Sequence, residues 1–235
     1  MTTESHILSA WARLGIAWNI PPARQTPHLE TLLVQSMAFV PGNARLAVLL
    51  ANWLSVYWRC VGRDSLRGLA QHASPRDQAT LGILLDTADQ WLPTPVFCGL
   101  TRHLSPMATP EPLLLSDQTR PALARLAELE ASPISRRWGL WCLPIEPKRN
   151  AIRPSSWVLK INPALRARSL FKGSLKTSLL SALEAHAPSA ATVTALSRQC
   201  AVTRKAVYEA LDDLQFSGMH HTAIHNDRPT GSRGR

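Results

Sequence analysis

The chain has 235 residues, 45% of them apolar and 18% charged, which excludes an intrinsically disordered chain and leaves room for two compact units. Its most hydrophobic stretch, Leu46 to Val61, carries Asn52 and Arg59 and is shorter than the roughly 20 apolar residues a membrane span needs, so a buried helix is expected and no membrane partner. Met1 to Ala10 includes Glu4 and His6 and lacks a basic start followed by an apolar run, so no secretion signal is read and a cytoplasmic location is expected.

Net charge is +10, and it is unevenly spread. Up to Glu130, ten arginines face ten acidic residues; from Ala131 onward sixteen basic residues face six acidic ones. A surplus confined to one segment is the footprint of a polyanion-binding face, and nucleic acid is the commonest such partner. Cys60, Cys98, Cys142 and Cys200 lie far apart with no C-x-x-C pair, which predicts small buried hydrophobes and no zinc site.

The first part of the chain reads as helical. Leu29, Leu32, Leu33 and Met37 share one face of a helix that Pro41-Gly42 breaks, and Asn43 to about Cys60 is apolar nearly all round, as in a central bundle helix. Ser74-Pro75 has the form of an N-cap followed by proline at the first helical position, opening a helix to about Trp91 on the apolar positions Leu81, Leu84, Leu85 and Ala88. Pro106, Pro110 and Pro112 mark Ser105 to Gln118 as a connector, and an amphipathic helix follows over about Arg120 to Glu130. Prolines 133, 144, 147 and 154 alternate with Arg136, Arg137, Lys148, Arg149 and Arg153, so residues 132–161 read as a basic interdomain linker. It ends in a short strand, Trp157 to Ile161, before Pro163 opens another helix.

The C-terminal segment carries four features in the order that a winged helix-turn-helix requires. Leu175, Leu179, Leu180 and Leu183 form the apolar face of a first helix, closed by Pro188. Thr192 or Thr194 caps a short second helix holding Val193, Leu196 and Cys200; Ala201-Val202 is a tight apolar turn; and Thr203 caps a third helix that buries Val207, Ala210, Leu211 and Leu214 before Gly218 stops it. Arg204, Lys205, Tyr208 and Asp212 then face outward, so the first exposed turn gathers a hydroxyl, a guanidinium and an ammonium. Those groups suit phosphates and base edges in a major groove.

The run from Val193 through Thr203, Arg204, Lys205 and Leu211 to Gly218 resembles bacterial winged-helix transcriptional regulators, over roughly 50 residues. Asn162 to Phe171 resembles the lead-in of winged-helix proteins encoded beside nucleotidyltransferases in bacterial defence or toxin–antitoxin operons, although no nucleotidyltransferase motif is present here. Where such proteins have a two-stranded wing, this chain has Met219 to Ile224, a turn at Asn226-Asp227 and an arginine-glycine tail, which reads as a flexible arm able to enter the minor groove.

The expected protein is therefore mainly α: a helical domain over residues 1–131 for self-association or partner binding, the linker 132–161, and a winged helix-turn-helix over 162–235. The residues expected on double-stranded DNA are Thr192, Thr194, Arg198, Thr203, Arg204, Lys205, Tyr208, His220, Arg228, Arg233 and Arg235. The expected function is a sequence-specific regulator, acting as a repressor by promoter occlusion and assembled as a homodimer, with no catalysis and no cofactor. Two alternatives stand beside it: a nucleic-acid-acting toxin or nuclease component, and an antitoxin or adaptor working through a protein partner. The nuclease alternative has Arg67 and His72 at the R-x4-H spacing of HEPN-type ribonucleases, but roughly one such match is expected by chance in a chain this rich in arginine and histidine. His220, His221 and His225 lack a partner cysteine or acid and are not read as a metal site.

Overall fold

A computed structural model describes residues 3–114, 121–170, 174–185 and 192–216. Among them are thirteen α-helices: α1 (Glu4–Arg13), α2 (Leu29–Met37), α3 (Ala44–Tyr57), α4 (Arg63–Ala70), α5 (Pro75–Gln90), α6 (Cys98–Thr101), α7 (Pro121–Leu129), α8 (Pro133–Trp138), α9 (Ser155–Ile161), α10 (Pro163–Leu170), α11 (Leu175–Ala185), α12 (Val193–Cys200) and α13 (Arg204–Phe216). The one described ladder pairs two-residue strands in parallel, β1 (Glu111–Pro112) with β2 (Leu140–Trp141). The chain is thus mainly helical, as its periodicities require. No described helix is long and apolar enough to cross a membrane.

The helices begin where side chains can satisfy their first N–H groups. Asn43 caps α3 by accepting from Leu46 N–H at 3.0 Å. Ser74 caps α5 by accepting from Asp77 N–H at 3.1 Å, and its hydroxyl donates back to the Asp77 carboxylate at 2.7 Å. Helix α3 runs through the middle of the first core, with Leu46, Leu49, Leu50, Trp53 and Leu54 buried. Trp53 meets Trp11 of α1 edge-on at 5.3 Å, and its indole N–H donates to the Leu14 carbonyl at 2.8 Å. Burial of each such aromatic removes some 150–250 Å² from water.

Residues 132–161, expected as a linker, instead contribute Trp138, Leu140 and Val158 to this core. Ser132 caps α8 by accepting from Ser135 N–H, and Pro133 occupies the first helical turn, so the proline starts a helix where proline density had indicated a loop. Trp138 at its end lies on α5 at Gly82, where a Cβ would come within 2.5 Å of the indole, and its N–H donates to Asp86 at 2.8 Å. Trp157 to Ile161, expected as a strand, lies in the helix α9. The five residues are too few for alternation to distinguish strand from helix, and the tertiary contact decides. Val158 seats against Gly15, and buried Asn162 closes the helix by donating to the Val158 and Arg13 carbonyls at 2.9 and 3.0 Å.

Two hydrophobic clusters result. The first takes in α1 to α5 with Trp138, Val158 and Leu165; the second consists of Leu179, Ala182, Val193, Leu196, Cys200, Val207, Ala210, Leu211 and Leu214. Helix α10 therefore packs with the N-terminal body, and the packing divides between α10 and α11. At that junction Arg168 of α10, 5% exposed, pairs with Glu30 of α2, 0% exposed. The same guanidinium donates through Nε to the Cys60 carbonyl at 2.9 Å, and Glu30 also accepts from Gly62 N–H at 2.7 Å. Arg168→Met would leave the buried Glu30 carboxyl without its charge partner, so a loss of about 3–5 kcal/mol is expected in urea denaturation. A loss below about 1 kcal/mol would show that the pair does not anchor the junction.

Candidate nucleic-acid interface

The second cluster is formed by α11, α12 and α13, and the part of it that faces outward is set by two caps and one turn. Of the two threonines expected to cap α12, Thr192 does so, accepting from Ala195 N–H at 3.2 Å; Thr194 is half-buried within the helix. After Cys200 the chain reverses at Ala201, whose φ of 52° and ψ of 45° are left-handed. Ala201 N–H donates to the Arg198 carbonyl at 3.2 Å and Val202 N–H to the Ser197 carbonyl at 3.0 Å, which are the two bonds of a Schellman turn. Thr203 then caps α13 by accepting from Ala206 N–H at 3.2 Å.

That geometry sets the face of α13. Val207, Ala210, Leu211 and Leu214 are buried, so Thr203, Arg204, Lys205, Glu209, Asp212 and Asp213 are exposed. Arg198 is exposed at the end of α12. The structure therefore brings Arg198, Thr203, Arg204 and Lys205 to one end of the unit, at the N-terminus of a helix whose dipole adds positive potential. Tyr208 is half-buried and packs on the cluster instead of standing outward. His220, Arg228, Arg233 and Arg235, with the expected wing and Gly218, lie outside the described residues.

The electrostatics differ from what the charge count implied. Over residues 174–216 four basic side chains meet four acidic ones: Lys176, Arg198, Arg204 and Lys205 against Glu184, Glu209, Asp212 and Asp213. Lys176 pairs with Asp213 at 2.7 Å and Lys205 lies 3.8 Å from Glu209. Eight of the ten surplus charges fall in residues 131–173, where nine basic residues accompany only Glu146, and the other two in residues 217–235. Part of it is structural: Arg168 is buried, Arg136 donates to the Ala131, Glu128 and Leu129 carbonyls, and Arg137 pairs with Asp86 at 3.0 Å. Lys148, Arg153, Lys160 and Arg166 are exposed.

One neighbour of the turn carried no signal in the sequence. Helix α4 abuts it at Gly68, where a Cβ would sit 2.6 Å from the Ala201 carbonyl oxygen and 2.9 Å from the Ala201 Cβ. Beside this contact a groove of about 790 Å³ is lined by Asp64, Arg67, Gln71 and His72 on one side and Arg198 and Thr203 on the other. Arg67 and His72, the pair with ribonuclease-like spacing, thus face the turn, and Arg67 is bound to Asp64 at 3.0 Å. No group of three His, Cys, Asp or Glu that could hold a metal is present among the described residues. Burial pushes the thiols of Cys60, Cys142 and Cys200 up to about 11, so all three are neutral; Cys98, expected buried, is exposed.

Compared with known proteins, the chain matches no family model, no curated protein and no solved structure.

Two substitutions test the local account of the turn. Ala201→Gly relieves a left-handed alanine and is expected to raise stability by up to about 1 kcal/mol, whereas Thr203→Ala removes a cap and is expected to lower it by about 1 kcal/mol. Opposite signs in urea denaturation are the expected outcome. A stabilising Thr203→Ala would contradict the cap.

Proposed function

We propose that the chain is a sequence-specific DNA-binding transcriptional regulator of the winged helix-turn-helix type, repressing by occlusion of a promoter. The observation that carries this reading is the joint placement of the Schellman turn, the Thr203 cap and the exposed Arg204 and Lys205 on the first turn of α13. In a major groove about 12 Å wide such a turn presents the Thr203 hydroxyl and Lys205 to phosphates and the Arg204 fork to a guanine edge. The N-terminus of α13 adds N–H donors that favour an anion.

Glu209, Asp212 and Asp213 limit how far the helix enters. Carboxylates against phosphate are repulsive, so α13 enters end-on by its first turn and does not lie along the groove. With the three-helix unit itself neutral, non-specific affinity comes from the exposed cations of α9, α10 and the preceding loop. A single turn reads too few bases to select one promoter. The working form is therefore a homodimer on half-sites about 10 base pairs or a multiple apart.

The test is selection of bound sites from a random duplex pool by the full chain, followed by titration at several salt concentrations. Arg204→Ala is expected to cost about 1–3 kcal/mol at the selected site and to relax preference at one base pair. Lys205→Ala is expected to weaken all sequences alike and to flatten the salt slope by about one. Absence of any salt-dependent duplex binding by the wild-type chain would overturn the reading.

A further inference from the structure

We infer that α4 is a second arm of the same DNA-reading head, in which Arg67 grips the sugar–phosphate strand bordering the groove that the first turn of α13 enters; this rests on the regulator reading above. The backbone contact at Gly68 is the starting point. With a Cβ at 68 placed 2.6 Å from the Ala201 oxygen, α4 and the turn approach as closely as a side-chain-free residue permits. Ala201 stands two residues before the Thr203 cap. Whatever strand flanks the first turn of α13 therefore runs beside α4 as well.

Helix α4 is also held in place. Leu66 and Ala70 bury one of its faces, and the residue before it, Gly62, donates to Glu30, which in turn holds Arg168. The position of α4 is thus tied, through Gly62, to the buried pair of Glu30 and Arg168 that holds α10 on the first body. The opposite face of α4 meets the open groove of about 790 Å³.

The chemistry of that groove fits a phosphodiester strand. Its polar walls offer a guanidinium from Arg67, an amide from Gln71 and an imidazole from His72, facing the Arg198 guanidinium and the Thr203 hydroxyl. All are hydrogen-bond donors of the kind that contact phosphate oxygens. The single carboxylate, Asp64, is 75% exposed and paired with a 41% exposed Arg67, an interaction that solvent weakens and that Arg67 can exchange for phosphate. The spacing of Arg67 and His72 is then explained by strand binding, with no bond broken.

The experiment uses the full chain and a duplex selected from the random pool by the wild type. Arg67→Ala is expected to weaken binding to every duplex about tenfold at physiological salt and to lower the salt slope by about one, with base preference unchanged. Arg67→Lys, which keeps the charge, should retain the slope, and Asp64→Asn, which removes the competing carboxylate, should tighten binding about threefold. Wild-type affinity and slope in Arg67→Ala would overturn the inference, as would tighter binding, which would mean that α4 shields the head. If the wild-type chain binds no duplex at any salt, the regulator reading fails first and takes this inference with it. If Arg204→Ala weakens binding while Arg67→Ala does not, only the role of α4 is lost.

Discussion

Glu30 and Arg168 sit 138 positions apart in sequence and meet where water is excluded, and that meeting holds α10, the last helix of the first body, against α2. Neither charge could be buried alone, since desolvating one ion costs several kcal/mol that only its partner and added hydrogen bonds offset. Here the offset is shared among Gly62 N–H, the Cys60 carbonyl and the pair itself. Because those groups belong to α2, the turn before α4 and α10, the pair fixes three pieces of backbone at once. Cys200 at the end of α12 feels both charges, although burial is the larger cause of its raised pKa.

From this constraint follows a division between what is local and what is not. The caps at Ser74 and Thr203 are legible because a cap is a contact over three residues; between Thr192 and Thr194 the structure chooses Thr192, and Asn43, read as the first residue of its helix, is its cap. The apolar faces of α11 to α13 are legible for the same reason, since a period of 3.6 needs no partner to be seen. Ser132-Pro133 is the same cap-and-proline device as Ser74-Pro75 and reads as a linker only because other prolines and arginines surround it. The contact that decides its role, Trp138 on Gly82, lies more than fifty residues away in the sequence.

Charge shows the limit most clearly. A net surplus can be summed from sequence, but whether a given arginine is solvated, capping a helix or buried depends on its neighbours. Arg136 and Arg168 both counted toward a polyanion-binding face, and both are held by protein groups. Among the described residues, the cations left exposed include Lys148, Arg153, Lys160 and Arg166, with Arg198, Arg204 and Lys205 beside the turn. Gly68 is the converse case. As one glycine on the polar side of an amphipathic helix it carries no signal, and its importance appears only when Ala201 is brought against it.

The central claim is that the first turn of α13, steadied by the junction behind it, is where the chain meets DNA. Amide hydrogen exchange of the intact protein, with and without its selected duplex, tests this most directly, because the first N–H groups of a helix have no acceptor within it and exchange readily until a ligand covers them. Slowed exchange at Arg204 and Lys205, with the segment from Arg67 to His72 slowed alongside, is the result the account predicts. Slowing confined to another surface, with the start of α13 exchanging as before, would contradict it.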